Sequence, residues 1–389
     1  MHGVEWRVKP ARGPGRPPWL SPPPTNGFIR ARANNSTPLS ELLLGRGLKK
    51  AREKLATIRD VARVSGVSVG TVSRSLNAPD SVRPATLGKV RAAIRALGFQ
   101  PDSRAQNMRR RSTLTVGFVV DDIANPLHAA TFKAADAEMR ERGFSLYLVN
   151  TNGKAREEAD AIDMLQHGRA DGLIMTINSE QDARTLKRLE ALRVPSVLLD
   201  REISLEMDAV LTDHAVGMIQ ATEHLIELGH RRIALITGGD DIRPGRERVR
   251  GFTEAFRRRR VRCPEDLIRA HSLSADFGFR EASTLLRGAE RPTAIIAAGN
   301  RILVGVLRAV QQQNVAVPGD LSIIGCDQTD LARLYPGPIT LIDRDIEEIG
   351  RTAAQLLLER LVERSERPAQ RISFPTWLIL GGSCGPVSK

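Results

Sequence analysis

Apolar and polar positions after residue 113 alternate in two different periodicities. Short apolar runs have the length of buried strands, and the longer amphipathic segments between them have helical spacing. The runs cover residues 114–120, 144–149, 172–177, 194–199, 233–236, 293–298 and 321–325, with a last strand at 371–380. This βαβ alternation predicts parallel sheets covered by helices. Because it extends over about 270 residues, we expect an α/β body of two doubly wound parallel-sheet subdomains with a cleft between them.

Between residues 57 and 98 the pattern is helical instead. Thr57 precedes a first apolar helical repeat and is a predicted N-cap, and Gly66 is suited to the left-handed turn that ends such a helix. A second helix over residues 69–76 places Val72 on its inner face. We expect a third helix between Pro84 and Gly98, since proline is tolerated in a first turn. These elements predict an all-α head.

The first two helices and their short glycine-containing turn have the spacing of a helix-turn-helix. In that motif the N-terminal residues of the second helix meet base edges in the major groove of DNA. The outward positions of that kind are Val69, Gly70 and Arg74. Short hydroxyl side chains suited to phosphate contacts are Thr71 and Ser73.

Charge is distributed unevenly and supports a polyanion-binding head. The chain has 389 residues and a net charge of +13. Residues 1–56 carry 11 Lys and Arg against 3 Asp and Glu, residues 57–112 carry 11 against 3, and the rest carries 36 against 39. The basic excess therefore lies in the first 112 residues, which is typical of a nucleic-acid-binding segment on a near-neutral body.

Residues 1–56 are expected to form a disordered basic extension. Eight prolines lie between Pro10 and Pro38, and little helical or strand periodicity is present. Such a segment buries too little apolar surface to offset its ordering entropy. It binds DNA phosphates weakly, or it is the product of a start codon assigned too early; the sequence leaves both readings open.

The head resembles that of the lac repressor (LacI/GalR) family of transcriptional regulators. The resemblance lies in a long motif at fixed offsets: Asp60-Val61-Ala62, Gly66-Val67-Ser68, Thr71-Val72-Ser73-Arg74 and Asn77. It implies a hinge helix over residues 102–112 that folds on operator DNA and inserts an apolar wedge into the minor groove, here Met108 in place of the usual Leu. With the residues named above, the DNA-contacting positions implied are Thr57, Ser68, Asn77, Arg104, Asn107, Met108 and Arg109.

The body resembles the periplasmic-binding-protein-like effector domain of the same family. Segments that match are residues 116–121, 170–174, 198–201, 229–234, 248–252 and 317–322. The resemblance implies that Arg248 and Asp327 hydrogen-bond effector hydroxyls, as suits a sugar or a related polyol. Further pocket positions implied by it are Asn125, Leu127, His128, Thr176, Arg201 and Asn300. Polar residues directly after strands together predict a hydrogen-bonding cleft, although for any single one of them a helix cap is the more common explanation.

Two positions depart from the family pattern. Arg301 follows Asn300 where an acidic residue is usual, and Leu127-His128 replaces a pair of aromatics. A cation beside the cleft makes an anionic effector, such as a sugar acid or a phosphorylated sugar, a second hypothesis.

Several chemistries receive no support. Cys263, Cys326 and Cys384 form no Cys-x-x-Cys pair, the seven histidines lack metal-ligand spacing, and no phosphate-binding or nucleophile motif occurs. We therefore expect no enzyme activity, cofactor or metal. No apolar run approaches the ~20 residues of a membrane helix, and no secretory signal is evident, so a cytoplasmic location is expected.

The predicted function is a sequence-specific regulator, a repressor, that binds a palindromic operator as a homodimer and responds to a small-molecule effector. The predicted divisions are an extension (1–56), a helix-turn-helix domain (57–101), a hinge (102–112), an effector and dimerisation domain (113–382) and a tail (383–389). No heptad-bearing helix follows residue 380, so a dimer is expected rather than a coiled-coil tetramer. The alternative is a sugar-binding protein of the periplasmic type without a DNA function.

Overall fold

A computed structural model describes residues 56–99, 112–167 and 169–387. The chain divides into two compact units between residues 101 and 102. We call residues 56–99 the head and residues 112–387 the body, and we treat each by itself.

The head consists of three α-helices around a small apolar core. They are α1 (Ile58–Ser65), α2 (Val69–Asn77) and α3 (Pro84–Leu97), with a 3-10 turn at Pro79–Ser81. The fully buried side chains of the core are Val61, Val72 and Val90. The three predicted helices are confirmed.

Local side-chain chemistry fixes both ends of α1. The Thr57 hydroxyl accepts a hydrogen bond from the backbone N–H of Asp60, and the Asp60 carboxylate accepts one from the backbone N–H of Thr57, which makes a reciprocal capping box. Gly66 ends the helix with φ of 68°, in the left-handed region that residues with a Cβ adopt only at a cost. The Ser68 hydroxyl then accepts from the N–H of Thr71 and starts α2. The tight turn between the helices follows from these residues.

The body contains twelve strands and nine α-helices among its described residues. The strands are β1 (Thr115–Val120), β2 (Ser145–Asn150), β3 (Gly172–Met175), β4 (Ser196–Leu199), β5 (Asp208–Asp213), β6 (Ile233–Gly238), β7 (Ile268–His271), β8 (Ala294–Ala297), β9 (Ser322–Cys326), β10 (Thr340–Asp343), β11 (Arg371–Pro375) and β12 (Trp377–Ile379). The helices are α4 (Pro126–Glu141), α5 (Ala155–Gln166), α6 (Ala183–Glu190), α7 (His214–Glu227), α8 (Arg243–Arg258), α9 (Ala275–Arg287), α10 (Asn300–Gln312), α11 (Asp330–Leu334) and α12 (Ile346–Leu361).

The strands form two six-stranded sheets, which confirms the predicted pair of α/β subdomains. The first sheet has the order β11-β5-β4-β3-β1-β2 and is parallel throughout. The second has the order β12-β10-β9-β8-β6-β7, with β12 antiparallel to β10 and the rest parallel. Apolar side chains of the helices cover both sheets and build their cores. Among the described residues no helix has both the length and the apolar content to cross a bilayer.

The chain passes between the two subdomains three times. It leaves the first sheet after β5 and enters α7, which packs on the second sheet. It returns after β10 into α12, which packs on the first sheet. The third passage is the short step from β11 to β12. Residues at the first two passages, His214 and Arg344, therefore lie where both subdomains meet.

The structure differs from the sequence analysis in three places. The single strand predicted at 371–380 is wrong: it is divided at Thr376 between the two sheets, and the Thr376 hydroxyl donates to the carbonyl of Asp213 and accepts from the N–H of Gly217 at this passage. Strands β5, β7 and β10 were not predicted. Residues 383–387, expected to be a tail, hydrogen-bond to the body, for example through Ser383 to Ile323 and Gly385 to Ser322.

Candidate functional site

A cleft of about 660 Å³ opens between the two subdomains at the carboxyl ends of their strands. This is where open parallel sheets place their ligands, and the volume is within the usual range for small-molecule sites. The eight residues predicted to contact an effector all line it: Asn125, Leu127, His128, Thr176, Arg201, Arg248, Asn300 and Asp327.

Arg248 and Asp327 provide a donor and an acceptor at the floor of the cleft. Arg248 lies on α8 with 4% of its surface exposed, and its guanidinium donates to the carbonyl of Ala298 at 2.9 Å. It has no carboxylate partner within the described residues. Asp327 follows β9 and is 2% exposed, and its Oδ2 has no hydrogen-bond partner in that part of the chain. A buried carboxylate oxygen without a partner is costly, so a ligand hydroxyl at this point would stabilise it.

Arg344 binds the other oxygen of Asp327 and was missed by sequence reasoning. Its Nε lies 3.0 Å from Asp327 Oδ1, and its Nη1 lies 2.8 Å from Asp200 Oδ2. Burial lowers the pKa of Arg344, but the two carboxylates outweigh it and raise that pKa. The available signal was a polar residue directly after a strand, yet β10 has only two apolar residues, Leu341 and Ile342, and was not recognised.

Asp200 is the carboxylate of the first subdomain at this point, and His214 is its second partner. His214 Nε2 lies 2.8 Å from Asp200 Oδ2. Burial lowers the pKa of His214 to about 4, against the opposing effect of Asp200, so the imidazole is neutral near pH 7. Burial also raises the pKa of Asp200, but His214 and Arg344 hold it well below its ordinary value.

Two contacts join the lips of the cleft. Asn300 Nδ2 donates to Asn125 Oδ1 at 2.8 Å, and Arg301 Nη1 lies 2.8 Å from Asp122 Oδ2. Asp122 therefore already pairs with the charge of Arg301. Arg301 is therefore not an uncommitted positive charge, and by itself it gives no reason to expect an anionic effector.

The remaining predicted positions are polar or aliphatic. His128 Nε2 contacts Asp121 Oδ1 at 2.7 Å; burial raises the pKa of Asp121, but His128 outweighs it and lowers that pKa to about 2. Arg201 donates to the carbonyls of Ile177 and Asp200. The lining residues include histidines but none of the rings of Phe, Tyr or Trp in the part of the chain that is described.

The exposed face of α2 carries the other candidate interface. Arg74 and Gly70 are exposed, and Val69 is 43% exposed. Ser68 and Thr71 hydroxyls contact each other at 2.9 Å. These positions leave the face of α2 open to a large partner.

Other predicted DNA-contacting residues of the head take part in local hydrogen bonds. Asn77 Nδ2 donates to the carbonyl of Ser73 at 2.8 Å, and Thr57 belongs to the capping box of α1. The remaining predicted positions lie outside the described residues: Arg104, Asn107, Met108 and Arg109.

Known proteins match the chain in both units. The family described as bacterial regulatory proteins, lacI family, matches residues 57–102, and the periplasmic binding protein-like domain matches residues 222–384. The ribose operon repressor of Escherichia coli strain K12 is 31% identical over 336 residues, which cover 85% of this chain and 100% of the repressor. The chain belongs to the lacI family of bacterial regulatory proteins.

Further lacI-family proteins share this architecture. The repressor PurR of Actinobacillus pleuropneumoniae serotype 3 is 30% identical over 337 residues, or 86% of this chain and 100% of the repressor. The crystal structure of the lac repressor dimer bound to operator and an anti-inducer has a TM-score of 0.74 and 26% identity, and the match covers 85% of this chain and 99% of that one. These relatives are transcriptional repressors, and they match along their whole length, head included. This chain is accordingly a transcriptional regulator of the lacI family, with a lacI-family head and a periplasmic-binding-protein-like body.

Proposed function

We propose that this chain is a repressor that binds a palindromic operator as a homodimer and is controlled by a neutral sugar or related polyol. The lac repressor dimer bound to its operator supports the dimeric, operator-binding assembly by similarity, and the ribose operon repressor supports the role of a repressor. The division of the chain between residues 101 and 102 supports the end of a DNA-binding domain at 57–101. We assign the hinge to residues 102–112 and the effector domain to residues 113–382. Because an operator lies on cytoplasmic DNA in bacteria, we propose a cytoplasmic location.

The observation that carries the effector class is the free oxygen of Asp327 in the cleft with Arg248. A hydroxyl group both donates and accepts, so adjacent hydroxyls of one sugar satisfy the carboxylate oxygen and the guanidinium together. A nucleobase would favour an aromatic stacking partner, which the described lining residues do not offer. Asp122 pairs with Arg301, so a negatively charged ligand gains nothing from that cation.

In the head, the proposed base contacts come from the exposed start of α2. Arg74 is the one long donor among the outward positions there, and an Arg reads guanine with two hydrogen bonds. Thr71 and Ser73 are proposed to contact phosphates, as are Thr57, Ser68 and Asn77. The hinge residues Arg104, Asn107, Met108 and Arg109 are proposed to act in the minor groove. We propose that the protein is not an enzyme.

The experiment that tests the effector site compares operator release by wild type and Asp327→Asn in a panel of neutral pentoses, hexoses and disaccharides. One sugar should release wild type from operator, and Asp327→Asn should need at least ~10-fold more of it, because an amide offers one acceptor oxygen where the carboxyl group offers two. Asp276→Asn is the control, since Asp276 is an exposed carboxylate on α9 outside the cleft. Equal response of wild type and Asp327→Asn contradicts the site.

A further inference from the structure

One guanidinium at the floor of the cleft is shared by a carboxylate from each subdomain. Arg344 lies at the second passage of the chain between the subdomains, directly after β10. Its Nε contacts Asp327 Oδ1 at 3.0 Å, and its Nη1 contacts Asp200 Oδ2 at 2.8 Å. Nη1 also donates to the hydroxyl of Thr212 at 2.9 Å. Asp200 follows β4 of the first sheet and Asp327 follows β9 of the second, so this arginine joins both sides.

Both carboxylates are held in an uncommon backbone conformation. Asp200 has φ of 54° and Asp327 has φ of 65°, and each directly follows a strand. Left-handed conformations cost free energy for residues with a Cβ, although Asp tolerates them better than most. Strain of this kind persists where the surrounding structure enforces it, and it is concentrated at binding sites. Here the strained backbone directs both carboxylates at one arginine.

The two oxygens of the Asp327 carboxylate have different surroundings. Arg344 occupies Oδ1, while Oδ2 is buried and has no partner among the described residues. Arg344 lies between the two carboxylates and contacts both of them. Its contact with Oδ1 leaves Oδ2 of Asp327 as the acceptor for a ligand in the cleft.

We propose that Arg344 is a positioning residue that couples effector recognition to the relative arrangement of the subdomains. Arg344 orients Asp327 so that Oδ2 can accept a hydrogen bond from a ligand, and it does so only while Asp200 binds the same guanidinium. Oδ2 is therefore available in the subdomain arrangement in which Arg344 contacts both carboxylates. A ligand that uses Oδ2 then favours that arrangement over others, which is the differential affinity that a conformational response requires. The inference rests on the proposed effector site but makes a separate claim about Arg344.

The test compares Arg344→Gln, Arg344→Lys and a matched control, Arg360→Gln. Arg360 is a similarly buried arginine that binds a carboxylate, Asp208, within one subdomain, and Arg367 also binds that carboxylate. Arg344→Gln removes both the positive charge and the planar guanidinium that contacts two carboxylates. Arg344→Lys keeps the charge but not the guanidinium. The first measurement uses the sugar that releases wild type from operator in the panel described above. For each variant, the dissociation constant of its complex with this sugar is measured.

The second measurement needs no ligand. Spin labels are attached at Glu190 of the first subdomain and at Gln311 of the second, which are both exposed, and they report the distance between the subdomains. Cys263 and Cys384 are replaced by Ser so that they are not labelled. Labelled chains are diluted with unlabelled chains. We expect Arg344→Gln to broaden the distance distribution and to weaken sugar binding about 10- to 100-fold. Arg344→Lys should lie between it and wild type, and Arg360→Gln should match wild type in both measurements.

Each outcome decides one claim. Unchanged distances and sugar affinity in Arg344→Gln overturn the proposal. Equal losses in Arg344→Gln and Arg360→Gln overturn it as well, since any buried arginine would then have the same effect. A broadened distribution in Arg344→Gln, with no sugar of the panel binding wild type, supports the bridging role of Arg344 and instead contradicts the sugar class of the proposed function.

Discussion

Asn300 and Asn125 lie 175 positions apart in the chain and are joined by a hydrogen bond of 2.8 Å across the mouth of the cleft. The two amides belong to different subdomains, at the start of α10 and before α4. Asn125 Oδ1 also accepts from the N–H of Leu127 and caps α4. The same oxygen thus fixes a helix end and holds the cleft in the described arrangement.

A double-mutant cycle measures this contact directly. Asn125→Ala and Asn300→Ala each destabilise the body, and we expect a coupling free energy of about 0.5–1.5 kcal/mol between them in urea unfolding, the usual net value of a hydrogen bond. The control cycle pairs Asn300→Ala with Asn152→Ala, because Asn152 bonds to Asn150 and Glu157 within one subdomain. Coupling in the control cycle equal to that of the test cycle would refute the cross-cleft bond.

Arg74 is predicted to contribute to sequence discrimination. Arg74→Ala should weaken operator binding by ~1–3 kcal/mol and relax the preference at one base position, since a bidentate contact to guanine is lost. Affinities for operator and for scrambled DNA are measured at fixed salt concentration. Arg91→Ala, an exposed arginine on α3, is the control and should affect both DNAs alike. The base-reading role is wrong if Arg74→Ala weakens operator and scrambled DNA to the same extent.

Two glycines of the head should respond to alanine with opposite signs. A Cβ at either Gly66 or Gly88 meets nothing within 4 Å, but Gly66 has φ of 68° and Gly88 lies inside α3. Gly66→Ala should destabilise the head by about 1–2 kcal/mol because of its left-handed backbone. Gly88→Ala should stabilise it by about 0.5–1 kcal/mol through helix propensity. Thermal unfolding of the full chain checks both, and the same sign for both would contradict the turn geometry.

His214 predicts a loss of stability in mild acid. Its pKa is about 4 in the folded chain against an ordinary value of 6.5, so the unfolded chain binds the proton first as the pH falls. The free energy of unfolding is not reduced by His214 above pH 6.5. It falls by up to about 3 kcal/mol between pH 6.5 and pH 4, as the unfolded chain takes up the proton. Urea unfolding across this range measures it. His214→Asn should flatten the profile, and an unchanged slope in that variant would show that other groups cause it.

Many of the residues that line the cleft could be predicted, because they directly follow strands in the sequence. In parallel sheets the residues after each strand converge at one edge, so eight lining residues followed from strand ends and from family resemblance. The pairing within the cleft did not follow. Arg301 was interpreted as a spare cation, because its partner Asp122 lies 179 positions away. Arg344 was missed because β10 has only two apolar residues, Leu341 and Ile342, and shows no strand pattern.

The passages between subdomains explain the other errors. Residues 371–380 have the periodicity of one strand, yet Thr376 divides them between two sheets. Periodicity reports which residues are apolar, and it carries no information on which sheet they join. Caps such as Thr57 with Asp60 were recognisable, since their partners are three residues apart.

The central claim is that the head reads a palindromic operator and that a sugar in the cleft controls it. The most direct test is selection of genomic fragments by the purified protein at ~150 mM salt, where non-specific binding is weak, with and without the sugar panel. We predict recovery of a few fragments that share a palindrome with half-sites about one helical turn apart, and their release by one sugar. Equal recovery of all fragments, or recovery of none under any condition, would contradict the account.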